Sequence, residues 1–224
     1  MRLSLWCAVA MLPFAAGPAA SGTTNPQTAA AARAAGCPVP DGTLDQMDLQ
    51  PWPATRHAIG VPDSDAGEMV VATLSGGATG KNLGDLCVAL VRVPAPDAGP
   101  IQRLAGLRDG ALLNPPSEVD PVTTVGIAID AVPYRFAPGE VAVGVRTGGA
   151  FHSTSTNAVW TTLYLLRRQG SVLSPIFEAE TQTVDGGPER TLRFAATITR
   201  GAYDLLLGHR RYLWNGSRYV ATRR

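Results

Sequence analysis

Lysine is almost missing from this 224-residue chain: Lys81 is the only one, and arginine supplies the rest of its 19 basic side chains. That bias points to a GC-rich, bacterial coding source rather than to a mechanism. Aromatic residues make up 6% of the chain, too few for the girdles an outer-membrane barrel sets at both interfaces. No apolar run reaches the roughly 20 residues of a membrane-spanning helix. Two cysteines, Cys37 and Cys87, alone make no zinc site. Catalytic signatures are absent too: there is no Gly-x-Ser-x-Gly, no Ser-x-x-Lys and no His-Glu-x-x-His. His57, His152 and His209 stand isolated. Nothing in the sequence asks for a cofactor or a metal.

What is there begins at Met1. Arg2 gives a short positive start, Leu3 to Ala16 is an almost unbroken apolar run, and Gly17 to Ser21 is rich in small residues. The stretch 1–21 therefore reads as a signal peptide, which places the mature chain in the periplasm or outside the cell. No membrane span is expected after its removal. Cys7 leaves with the signal, so Cys37 and Cys87 are expected to pair in an oxidising compartment. Gly22 to Gly36 is a tract of Ala, Thr, Gln and Pro without a bulky apolar stripe, and 22–40 reads as a flexible linker. One domain, 41–224, follows. Within it Pro51, Trp52 and Pro53 mark an extended segment that packs its indole on the body of the domain.

The composition of 45% hydrophobic and 17% charged residues is that of a chain that folds. With Arg2 gone the net charge is zero, so no global field draws nucleic acid. The halves differ, however. Asp41 to Asp130 holds 12 acidic and 5 basic residues, Ala131 to Arg224 holds 6 acidic and 12 basic. The halves either pair their surfaces or leave a basic face for an acidic partner.

From Glu68 onward, short runs of Val, Ile, Leu, Thr and Tyr alternate with Gly, Pro, Asp and Asn. The strands expected are 69–74, 86–93, 101–104, 122–129, 140–146, 159–167, 172–179, 191–199, 203–207, 211–214 and 219–222, the spacing of a mainly β chain. The fold class is a single antiparallel β-sandwich or barrel-like domain. In Glu140 to Arg146, the residues Val141, Val143 and Val145 fall on one face and Ala142, Gly144 and Arg146 on the other. Gln169-Gly170 and Asn215-Gly216 read as hairpin links.

Two lookalikes fail on spacing. Gly76 to Asn82 has Ser75 where a phosphate loop needs glycine and Asn82 where it needs Ser or Thr. Asp63 to Glu68 puts Glu68 where a calcium loop needs glycine, and Leu74 at its twelfth position. The longest polar link, Thr147 to Asn157, brings Phe151, His152, Ser153 and Thr154 together and reads as a recognition loop. Trp214 and Tyr219 flank the last turn, either as a stabilising cross-strand pair or as a sugar-stacking platform.

The segment Asp204-Leu205-Leu206-Leu207, followed by Arg211 to Tyr219, is similar to the closing hairpin of many uncharacterised exported bacterial proteins. Ile127 to Asp130, Pro133 to Gly139 and Val143 to Arg146 resemble the middle of the same group, and the matches together span about a quarter of the chain. The resemblance implies an exported β-rich domain and assigns no catalytic residue. The expected function is non-enzymatic binding of a ligand or envelope protein. A cell-envelope hydrolase with a triad assembled only by the fold is one alternative, and an inhibitor of a cell-wall-degrading enzyme is another.

Overall fold

The computed structural model describes residues 26–39, 46–52, 67–75, 85–94, 99–107, 111–112, 124–152, 157–182 and 188–222. The expected signal at 1–21, the lookalike Gly76 to Asn82, residues 63–66 of the other lookalike, and His57, Ser153 and Thr154 lie outside them. The chain is mainly β, with a nearly closed barrel-like sheet and a second small sheet. In chain order the elements are α1 (Pro26–Ala35), β1 (Gln46–Pro51), β2 (Gly67–Ser75), β3 (Asp85–Val93), β4 (Gln102–Leu107), β5 (Ala111–Leu112) and β6 (Thr124–Ala137). Then come β7 (Glu140–His152), β8 (Asn157–Gln169), β9 (Val172–Gln182), β10 (Leu192–Thr199), β11 (Ala202–Leu207), β12 (Arg210–Trp214) and β13 (Tyr219–Ala221).

The large sheet runs β1-β2-β3-β4-β9-β8-β7-β6, with β5 on β3. All its ladders are antiparallel except β4–β9, which is parallel and joins only Gly106 to Val172 and Leu107 to Leu173. The strip bends round until β1 lies against β6. There a side chain stands in for a ladder: Asp48 Oδ2 accepts the Ile129 amide at 2.6 Å, while Oδ1 accepts Leu49 N and Gln50 Nε2 at 2.8 and 3.1 Å.

Strand alternation assigns the two surfaces of this wall. Inward lie Val70, Ala72, Leu74, Leu86, Val88, Leu90, Ile127, Ile129, Val143, Val145, Trp160, Tyr164 and Leu166, one filled core capped by Trp52. The indole of Trp52 is buried as its flanking prolines suggest, and its amide donates to Glu68 O at 2.7 Å. Outward, the same strands present a second set of apolar residues, because a wall covered on both sides alternates between two cores. Val143 and Val145 point in, and Ala142 points out, as the pattern in 140–146 predicts.

Two covers meet those outer residues. On β2–β3, α1 packs Ala31, Ala32 and Ala35 against Val71, Ala89 and Val91. The tract read as a flexible linker thus contains a packed helix over Pro26–Ala35. Alanine carries little hydropathy, but its small side chain is the best helix former and lets the helix approach the sheet closely. Pro26 suits a first helical position. Gly36, at φ +73°, closes the other end, with Gly36 N on Arg33 O and Cys37 N on Ala32 O. The next residue is Cys37, bonded to Cys87 of β3 as expected, with Cα atoms 5.6 Å apart.

On β6–β9, the sheet β10-β11-β12-β13 packs Leu192, Leu205, Leu207, Tyr212, Trp214 and Tyr219 against Phe136, Ala142, Leu163, Leu165, Ile176 and Phe177. Rings meet edge to face, Phe177–Tyr212 at 5.0 Å and Trp214–Tyr219 at 5.3 Å between centroids. Five of the scarce aromatics, Phe136, Phe177, Tyr212, Trp214 and Tyr219, are gathered here.

Several details depart from the expected strands, among them β6, which runs on to Ala137 rather than ending at 129. β1 and β5 were not anticipated. The link expected over Thr147 to Asn157 is mostly ladder, since Thr147 to His152 pair with Thr162 to Asn157. Glycine makes this possible: a Cβ on Gly148 would stand 2.7 Å from Trp160 O, so a larger residue would push β8 away. The β8–β9 turn is Gly170-Ser171, one residue later than read, with Gly170 at φ +62°.

Because α1 is short for an independent helix, its position rests on the alanine contact and the disulfide. Replacing Cys37 and Cys87 by alanine is expected to cost up to about 4 kcal/mol in urea unfolding, with the α1 amides first to gain hydrogen exchange. Unchanged stability and an equally protected α1 would contradict this dependence.

Candidate functional site

Charged residues enter the outer wall of the barrel where β6 and β7 pair. Asp130 and Gly144 stand opposite each other, as do Ala128 and Arg146. Arg146 is buried at 7% exposure, so its charge must be met locally. Its Nε donates to Asp130 Oδ1 at 2.9 Å and its Nη1 to Glu189 Oε1 at 2.6 Å. The Tyr134 hydroxyl donates to Asp130 Oδ2. Thr181, fully buried, offers its hydroxyl to Glu189 at 3.2 Å.

Gly144 is the space in which this cluster sits. A Cβ there would stand 2.5 Å from the Tyr134 ring and 2.8 Å from Asp130 Oδ2. Burial opposes the charge on Arg146, but Asp130, Tyr134 and Glu189 outweigh it and raise its proton affinity further. Burial first, then the Asp130 carboxylate, push the Tyr134 phenol far up. It stays protonated and a donor. These groups spend their bonding capacity on one another, so the cluster acts as a fastener. It ties Glu189, and through Arg190 N on Thr181 O at 2.7 Å the approach to β10, onto the barrel.

A second polar cluster lies on the solvent side of the small sheet. Asp204, with no exposed surface, pairs with Arg211 Nη2 at 2.5 Å and accepts from Thr197 Oγ1 at 2.6 Å. Its burial works against ionisation, yet hydrogen bonds from Arg211, Thr197 and Thr199 win and hold the carboxyl below its ordinary value. Arg211 also reaches Thr197 Oγ1 at 3.1 Å, and its side chain remains 47% exposed.

Around the Gly208-His209 turn the basic residues collect. Leu207 pairs with Arg210, and Arg193, Leu206 and Arg211 stand opposite one another across three strands. Arg190 folds its stem toward Gly208, 3.4 Å from where a Cβ would stand. Arg193, His209, Arg210 and Arg211 are exposed. Residues 188–222 contain 6 arginines and only Glu189 and Asp204 as acids. Both acids are already bound, to Arg146 and Arg211. Among the described residues Arg193, Arg210 and Arg218 form no ion pair. Beside Arg193 and Arg211, Leu206 and Leu213 are half-buried and Val220 is exposed, on the face opposite Leu205, Leu207, Tyr212, Trp214 and Tyr219; Arg210, paired with Leu207, stands at the end of that other side.

Of the residues singled out in the sequence, Phe151 and His152 end β7, opposite Ala158 and Asn157. Trp214 and Tyr219 are paired across their hairpin but buried at 6% each. The Tyr219 hydroxyl donates inward to Tyr203 O at 2.7 Å. Their rings thus serve the core between the sheets and present no stacking face to solvent. Sequence reasoning passed over Asp130, Arg146, Glu189 and Asp204. A charge set into an alternating apolar strand was the available signal for Asp130, Arg146 and Asp204; Glu189, in a polar stretch, carried none.

No protein-family model, curated protein or solved structure matches this chain. What fold and site define is a disulfide-tied, barrel-like β-domain that carries an arginine-rich rim on its second sheet.

The Asp204 carboxyl gives a pH test. A group whose folded pKa lies below its unfolded value, about 3.9 for Asp, adds stability that is whole above that value. This stability fades as pH falls through the folded pKa. Urea unfolding of the native chain and of Asp204→Asn should therefore differ most near neutrality and converge in acid. Curves that stay parallel down to about pH 2.5 would show that Arg211 and the threonines do not favour the carboxylate.

Proposed function

We propose that this chain is an exported bacterial β-domain that acts by binding, without catalysis, a ligand or protein partner in the cell envelope. The observation that carries the reading is the arginine rim of Arg190, Arg193, Arg210 and Arg211. Its members outnumber the acids of their own sheet, and both of those acids are already engaged. Guanidinium groups exposed in this way suit carboxylate or phosphate groups, which they grip with paired donors. The Cys37–Cys87 bond supports an oxidising compartment. The signal-like stretch 1–21 supports the same address. The two sheets together offer a rigid platform, because the rim stands on strands rather than on a long loop.

Affinity capture from a bacterial envelope extract, with the chain purified from that fraction as bait, tests the reading. A partner retained at low ionic strength and released at high salt is the expected result, since exposed charges are screened within about 10 Å at 0.1 M salt. Recovery of nothing above an unrelated β-protein control, or turnover of envelope polymers by the purified chain, would contradict it.

A further inference from the structure

We infer that the Cys37–Cys87 bond locks α1 onto its own barrel, and that a dithiol which opens the bond frees α1 to seat on the same face of a second copy. The surface concerned is the outer face of β2 and β3, where Ala31, Ala32 and Ala35 bury Val71, Ala89 and Val91. Met47, Met69 and Ile101 flank it, half-buried. Stripped of the helix, this face is an apolar patch that calls for a cover. The cover that fits is already in the chain: a helix of 10 residues whose contact side is alanine.

Alanine methyl groups bury little area, and a helix this short does not persist alone. Contact and propensity therefore hold α1 weakly, and the covalent bond beside its C-terminus holds it firmly. With the bond closed, only Gly36 separates the helix from its anchor on β3. With it open, the remaining connection is residues 36–45, which run to β1. Fully extended they reach about 30 Å, enough to carry α1 off its own barrel. Seated on a neighbour, α1 remakes every contact it had, so two copies lose little by trading helices. In dilute solution each chain keeps its own helix, because the link holds it at a high local concentration.

Opening is a thiol–disulfide exchange. Cys37 is buried at 5% exposure and Cys87 half-buried, so the approach lies on the Cys87 side. One thiolate of the dithiol attacks a sulfur of the bond and forms a mixed disulfide, while the other cysteine leaves as a thiolate and takes up a proton. The second thiol of the reagent then closes the reagent's own disulfide and releases the remaining cysteine. Two electrons pass from the dithiol, and Cys37 and Cys87 end as thiols. Oxidised glutathione reverses the step, becoming two glutathione thiols as Cys37 of one copy bonds Cys87 of the other.

The test mixes equal amounts of unlabelled and heavy-isotope-labelled full chain, both carrying Cys7→Ser so that only Cys37 and Cys87 can pair. The mixture is reduced with dithiothreitol, freed of it, and reoxidised with oxidised glutathione. Mass spectrometry of the linked peptides then reads whether the two cysteines come from one isotope or from both. In the covalent dimer formed at high protein concentration, about half of the Cys37–Cys87 peptides should be hybrids, as a symmetric trade of helices requires. Diluting the reduced chain tenfold before reoxidation should lower the dimer share about tenfold, since exchange needs an encounter. Hydrogen exchange on the reduced chain should show open α1 amides while β11 and β12 stay protected. Ala32→Glu, which sets a charge into the helix contact, should abolish the hybrids. Several results overturn the inference: no hybrids at any concentration, hybrids that persist in Ala32→Glu, or a bond that resists dithiothreitol in the folded chain. Loss of protection in β11 and β12 on reduction overturns it too, because the copies would then exchange by unfolding.

Discussion

The structure depends on closing a sheet against itself across a gap that, among the described residues, no backbone ladder spans. Along β1-β2-β3-β4-β9-β8-β7-β6, main-chain pairing holds each strand to the next, but among the described residues β1 is hydrogen-bonded to β6 through the Asp48 carboxylate on the Ile129 amide. That bond satisfies a backbone donor that would otherwise be left without an acceptor at the seam. It also fixes where Ile127 and Ile129 turn inward beside Val70, Ala72 and Leu74. Closure removes one apolar surface from water and creates a new demand, because the wall alternates and its other surface is apolar too.

The two covers answer that demand in different ways. The small sheet brings large side chains, so Leu205, Tyr212, Trp214 and Tyr219 bury enough area to hold by packing. The helix α1 brings only alanines to the contact, and a covalent bond at Cys37 holds what alanine burial alone holds weakly. Between barrel and small sheet, Arg146 with Asp130, Tyr134 and Glu189 does not add bulk. A buried ion cluster costs desolvation and contributes little net stability. What it supplies is alignment, since Glu189 meets Arg146 and Thr181 together.

Much of this architecture was legible. From β2 onward the longer strands lie broadly where β-branched alternation put them, because burial on both faces of a wall favours Val, Ile and Leu at inward positions. The failures have particular causes. Alanine concealed α1, since its contribution lies in fit rather than hydropathy. Gln46 to Pro51 carried no strand pattern beyond the extended segment marked at Pro51, although Asp48 has its place there by accepting an amide. Glycine and threonine at 147–149 looked like a polar link, although small residues were what let β8 come close. Trp214 and Tyr219 were correctly read as neighbours, but which face they occupied was set by the packing of a whole sheet. The charge asymmetry between halves was plain in the composition. Its concentration on one turn of the small sheet needed the register of β10, β11 and β12, which pairs residues far apart in the chain.

The most direct measurement on the seam is hydrogen exchange on Asp48→Ala beside the unaltered chain, with urea unfolding on both. Loss of this acceptor should cost about 1–3 kcal/mol, the penalty for a stranded buried donor. The Ile129 amide and the amides of β1 should exchange faster, while those of β11 and β12 keep their protection. If Ile129 stays protected and stability is unchanged, the barrel does not depend on Asp48 for its closure.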